Sequence, residues 1–203
     1  TDNRILEGPI AGTLFSMTIP MIFGTLAIVA MNLTDTFFVA QLGTGALAAM
    51  GFIFPVVLVV SSFTTGLGAG VAAVISQAIG RGDMEAVQRL TKHSLMLGVL
   101  LVGTLIAVGM LTIDPLFRAL GADEETIPLI HSYMVYWYPG MLFLIIPMIG
   151  NSAIRATGDT KIPGYIMVNA AVINVVLDPL FIFGIGPFPE MGIAGAAVAT
   201  IFA

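Results

Sequence analysis

The sequence predicts an all-α membrane protein, and three observations carry that reading. Charged residues make up 9% of the 203 residues and hydrophobic residues 58%, where an ordinary soluble domain is about 25% charged. So few polar groups cannot cover so much apolar surface, and lipid must therefore be the solvent for most of the chain. The apolar residues also fall into runs that meet the length of about 20 residues a helix needs to cross the hydrocarbon core. Finally, the basic residues collect in alternate connections between those runs, as the positive-inside rule requires of a multi-pass protein.

The first run, 10–40, is far longer than the signal-peptide core of about 7–15 residues, so it reads as a first membrane helix. It ends in the stretch NLTDTFFVAQLG, residues 32–43. The second run, 45–79, exceeds a straight perpendicular crossing, with Pro55 and GLGAG (66–70) as places for a bend. Its Gly66-x-x-x-Gly70 pair reads first as close helix packing and second as a sliding or dimerising surface. The segment 82–93, GDMEAVQRLTKH, is amphipathic and is expected to lie on the membrane surface. A third span follows over 93–113. The fourth, 127–150, opens with Tyr133, Tyr136, Trp137 and Tyr138, the composition of an interfacial aromatic belt. The fifth covers 162–184. A sixth starts at 190 and is unfinished at Ala203, and the chain is expected to be part of a longer protein.

Six of the seven basic residues, Arg4, Arg81, Arg89, Lys92, Arg155 and Lys161, fall on one side of this arrangement. Arg118 is on the other, beside Asp114, Asp123, Glu124 and Glu125. The rule then puts the N-terminus in the cytoplasm. No basic patch supports nucleic-acid binding. The chain has no cysteine, which excludes disulfides, thiolate metal sites and a cysteine nucleophile. His93 and His131 lie on opposite sides of the membrane, so no histidine metal site is supported.

Two carboxylates interrupt the apolar runs. Asp35 lies eight residues before Gly43, roughly 12 Å in from the outer end of the first span at about 1.5 Å per residue. Asp178 lies six residues before Gly184, roughly 9 Å in from the outer end of the fifth. Tyr133 comes roughly 8 Å in from the same side. Asn174 and Asp178 share a helical face, as do Asn32 and Asp35. Pro179 has no N–H, which frees the carbonyl of Val175 as a further oxygen ligand and makes this a point of flexure. Charged residues buried within membrane spans generally mark ion or proton pathways. The bland alternative ties each carboxylate to a neighbour purely to lock packing; it is strongest for Asn32 and for a belt role of Tyr133.

A carboxylate held in hydrocarbon resists ionisation, which brings its proton on and off within the physiological range. Equally, Asp35, Asn174 and Asp178 could form an oxygen cage for sodium. Protons are the favoured coupling ion on this reading, with sodium the alternative and no cofactor expected.

The stretch NLTDTFFVAQLGTGALAAMG, with ISQAIGRGD after the second span, RATGDTKIP before the fifth, and NVVLDPLFIFG followed by MGIAGAAVAT, resembles the multidrug and toxic compound extrusion (MATE) family. The pairing of Asp35 with Asn174-x-x-x-Asp178 is similar to its DinF-like branch. The resemblance implies twelve helices in two six-helix lobes, this chain being the N-terminal lobe with its sixth span truncated and the C-terminal lobe absent. It further implies alternating-access export of small amphipathic, cationic drugs or toxins across a prokaryotic inner membrane, by a monomer driven by inward cation flow. Asp35, Asn174 and Asp178 would form the cation-coupling site, joined by a threonine of the sixth helix, for which Thr200 is the match. Pro20 would be the place where the first helix bends.

Three rival readings carry their own tests. A lipid-linked oligosaccharide flippase of the same superfamily needs a cationic cavity, yet no Lys or Arg lies inside a span. An intramembrane aspartyl protease needs two carboxyls sharing a proton, but the GxGD expected before the second is replaced by VVLD. An ion channel needs a selectivity filter, and nothing resembles one.

Overall fold

The computed structural model describes residues 9–203, and among them the regular structure is all helical. Helices α1 (Ile10–Ala40), α2 (Thr44–Gly80), α3 (Met84–Ala119), α4 (Ile127–Ala156) and α5 (Lys161–Phe183) are each long and apolar enough to cross a membrane, and α6 (Ile193–Phe202) is a shorter apolar helix. Arg4, part of the orientation argument, lies outside the described residues.

Three expectations need correction. The amphipathic segment 82–93 is no separate surface helix. It opens α3, because Asp83 caps the helix by accepting from the Ala86 N–H at 2.8 Å and no glycine or proline interrupts the chain until Gly98. α2 is one continuous helix through Pro55 and 66–70. The Gly66/Gly70 pair does not serve packing within the described residues, since a Cβ at either would meet open space. The tight approach is instead at Gly68, where a Cβ would stand 2.7 Å from the Ser152 hydroxyl oxygen of α4. Nor do the aromatics form a belt: Tyr133, Trp137 and Tyr138 are buried, and Tyr136 alone of the four is exposed, at 45%. The reason is position, for α4 packs against α2, α3 and α6 at once.

The helices form two groups. One is α1, α5 and α6; the other is α2, α3 and α4, and the main joint between them is α4 against α6. Small residues allow these approaches: the Tyr138 ring lies over Gly109, Ile201 presses on Gly140, and Gly195 sits against the backbone of Phe181.

The α3–α4 connection is held by Arg118, which grips both carboxylate oxygens of Glu124, and by Asp123, which accepts from Thr126 N–H at 2.8 Å. The bonds from Thr126 hold the Asp123 carboxyl below its ordinary value.

The turn after α5 decides where α6 runs. Gly184 takes a left-handed conformation at φ 68°, and a Cβ there would stand 2.7 Å from the backbone nitrogen of Glu190, so this position requires glycine. Met191 and Gly192 then donate to the carbonyls of Phe181 and Ile182 at 3.0 and 3.1 Å. The loop is thereby folded onto the end of α5, and α6 starts back alongside it.

Candidate functional site

The return of α6 brings Thr200 beside Asn174, although the two are 26 residues apart in sequence. The Asn174 amide donates to the Thr200 hydroxyl at 3.5 Å, and that hydroxyl donates in turn to the Ala196 carbonyl at 2.9 Å. One helical turn further along α5, Asp178 is 0% exposed, as is Asn174. Asp35 arrives from α1, the helix packed along α5, and its carboxyl comes within hydrogen-bonding reach of Asp178. Tyr133 of α4 is buried near both carboxyls. The groups named from the sequence, Asp35, Asn174, Asp178, Thr200 and Tyr133, thus meet at the junction of the two helix groups.

Asn32 does not join them. It is exposed, and its amide donates to the Ile28 carbonyl of its own helix at 2.9 Å. Sharing a helical face with Asp35 was not enough, because α1 touches its neighbours along a narrow strip: Gly24 and Val39 are its buried residues.

The chemistry of the cluster follows from its unmet hydrogen bonds. Oδ1 of Asp35, Oδ1 of Asn174 and both carboxyl oxygens of Asp178 are buried, with no protein donor reaching them. Buried polar atoms are almost always satisfied, because an unsatisfied one carries its full desolvation cost. Two facing carboxyls bond to each other only when one carries a proton. A proton shared between the carboxyls, a metal cation or water would each satisfy oxygens placed in this way. The oxygen-only donor set fits a hard cation such as sodium, to which Asp35, Asn174 and Asp178 would supply the ligands.

An edge-to-face contact between Phe38 of α1 and Phe183 of α5, centroids 6.1 Å apart at 77°, lies beyond the pair toward the ends of both helices. Sequence reasoning passed over it. The hint was that both rings follow their aspartates closely, three residues after Asp35 and five after Asp178.

Fold and site together define a polytopic helical membrane protein with ionisable groups buried between its spans, the make-up of a membrane transporter. The chain belongs to the MatE family, whose model matches residues 20–180. It is 48% identical over 98% of its length to a Shewanella oneidensis protein named FAD transporter, and covers 44% of that protein. It is 32% identical over 79% of its length to the Bacillus subtilis probable multidrug resistance protein YoeA, covering 35% of it. The Vibrio cholerae MATE transporter VcmN, solved in a bent form, superposes with a TM-score of 0.88 at 38% identity, covering 95% of this chain and 43% of that one. The chain thus spans less than half the length of these relatives. Family membership removes the aspartyl-protease alternative.

Proposed function

We propose that this chain carries the coupling site of a cation-driven exporter, and that the coupling ion is a proton. The observation supporting this is the fully buried Asp178 facing the half-buried Asp35, with no protein donor reaching either oxygen of Asp178 or the buried Oδ1 of Asp35. Such a pair is stable when it holds a proton and costly when both groups are ionised, so one proton on or off changes how α1 sits against α5. In the cycle we envisage, a proton from the outside neutralises the pair, α1 repacks near Pro20, and the cavity narrows so that the substrate leaves outward. Release of the proton to the cytoplasm resets the lobe. Thr200 holds Asn174 in place, and Asn174 supplies the neighbouring oxygen. Pro179 lets α5 adjust beside the pair. On this reading the N-terminus is cytoplasmic and the membrane is the inner one, following the placement of basic residues.

The substrate reading that the site supports is a small amphipathic cation, attracted by the ionised pair. Relatives named as multidrug proteins point the same way. A second reading, a flavin dinucleotide, has the stronger identity behind it, 48% against 32%. It needs cations for the pyrophosphate. The Lys and Arg among the described residues lie in the first turns of α3 and near the helix ends, away from the carboxyl pair.

The test is transport by the full-length protein in proteoliposomes, with proton and sodium gradients imposed separately and FAD and a lipophilic cationic dye offered in turn. Uptake driven by the pH gradient and lost in Asp35→Asn supports the proposal. Uptake driven by sodium at equal pH would move the reading to an oxygen cage for sodium. FAD movement without dye movement would replace the drug reading.

A further inference from the structure

The turns on the two sides of the aspartates differ in kind. Four residues on from Asp35 is Val39, and four on from Asp178 is Ile182. That spacing keeps each on the face of its aspartate, roughly 6 Å further along the helix, and both are fully buried. Beside them, Phe38 and Phe183 meet edge to face and pack against the same core. The other elements bring apolar groups to this end as well. Ile130 of α4 is buried just before Tyr133 in that helix, and Ile193 is the buried first residue of α6. On the opposite side of Asp178 the next turn is polar, with Asn174 donating to Thr200.

The backbone at this end offers water little either. The carbonyls of Phe38 and Val39 accept from Gln41 and Leu42 at 3.1 and 3.0 Å. Those of Phe181 and Ile182 are taken by Met191 and Gly192 of the returning loop. A narrow passage lined by apolar side chains and satisfied carbonyls excludes water and ions by dewetting. We propose that Val39, Ile182, Phe38 and Phe183, backed by Ile130 and Ile193, form a hydrophobic seal across the ends of α1 and α5. The seal closes the route to the carboxyl cluster along these helix ends, so that water and cations enter from the Asn174–Thr200 side. On the orientation proposed above, the closed end is the outer one.

This inference rests on the cluster being the coupling site, whichever cation it takes, and its test keeps the two apart. The chain has no cysteine, so Thr200→Cys in the full-length protein places a thiol reporter beside Asn174, with the protein lacking that change as background. A cationic, membrane-impermeant methanethiosulfonate is applied to right-side-out and to inside-out vesicles, and the labelling rate of folded, inserted protein is measured. Phe38→Ala removes a ring of the seal, and Val39→Ala removes only two methyls, so a folding failure of the first leaves the second to decide. Leu33→Ala, at an α1 position 68% exposed, is the control. The expected result is that a seal variant raises the outside labelling rate by about tenfold or more, while the inside rate and the control stay at the parent values. No rise from outside in either folded variant, or an equal rise from both sides, overturns the inference. The coupling reading is judged separately, by uptake in Asp35→Asn with the seal intact: if that uptake survives, the coupling reading fails whatever the labelling shows.

Discussion

Replacing Asp178 by Asn keeps size and shape but removes one member of the facing pair. In the arrangement proposed above, one proton bridges the two carboxyls, whose buried oxygens no protein donor reaches. A hydrogen bond to a charged partner is worth about 1.5–3 kcal/mol, a factor of roughly 10 to 150 in the equilibrium it supports. Proton-driven uptake by Asp178→Asn should therefore fall at least about tenfold, and Asp35→Asn should fall by a similar factor because it breaks the same bond. The double variant should lose little more than either single one, since groups in one network are strongly non-additive. The assay is initial uptake in proteoliposomes under an imposed pH gradient, with amounts of inserted protein matched. If the two losses multiply in the double variant, the carboxyls act independently and the shared-proton account is wrong.

Thr200→Ala removes the hydroxyl that receives the Asn174 amide at 3.5 Å, leaving a fully buried donor unpaired. It should destabilise the protein by about 1 kcal/mol, read as a lowered unfolding temperature in detergent. Gly109→Ala would drive a methyl to 2.4 Å from the Tyr138 ring and should cost about 1–3 kcal/mol. Gly103→Ala, with nothing within 4 Å, should cost nothing by the same measurement. Asp123 is held below its ordinary value of 3.8 by its bonds from Thr126. A depressed carboxyl contributes stability that is present at neutral pH and disappears as pH falls through its folded value. The α3–α4 connection should therefore loosen in acid below that range, seen as a smaller protection of the Thr126 amide relative to its intrinsic exchange rate at the same pH, and Asp123→Ala should show the loosened state at all pH values.

The spans were legible because membrane helices are written in composition and length, which need no knowledge of neighbours. The start of α3 was misjudged because Arg89, Lys92 and Glu85 look like a surface face, while the absence of any helix breaker between Asp83 and Gly98 decides continuity. Asp35, Asn174 and Asp178 stood out because a polar group in an apolar run is costly wherever it points. Asn32 stood out for the same reason and faces outward, since sequence shows that a residue is polar but not which side of α1 is covered. The pairing of Thr200 with Asn174 depended on the turn at Gly184 and on the backbone bonds of Met191 and Gly192.

The central claim is that the Asp35–Asp178 pair holds a proton that substrate displaces. Proton release on adding a lipophilic cationic dye to unbuffered, detergent-solubilised full-length protein tests it most directly. The account predicts release close to one proton per bound dye, absent in Asp35→Asn and in Asp178→Asn, and unchanged by sodium. Dye binding without proton release, or release that sodium suppresses, would contradict it.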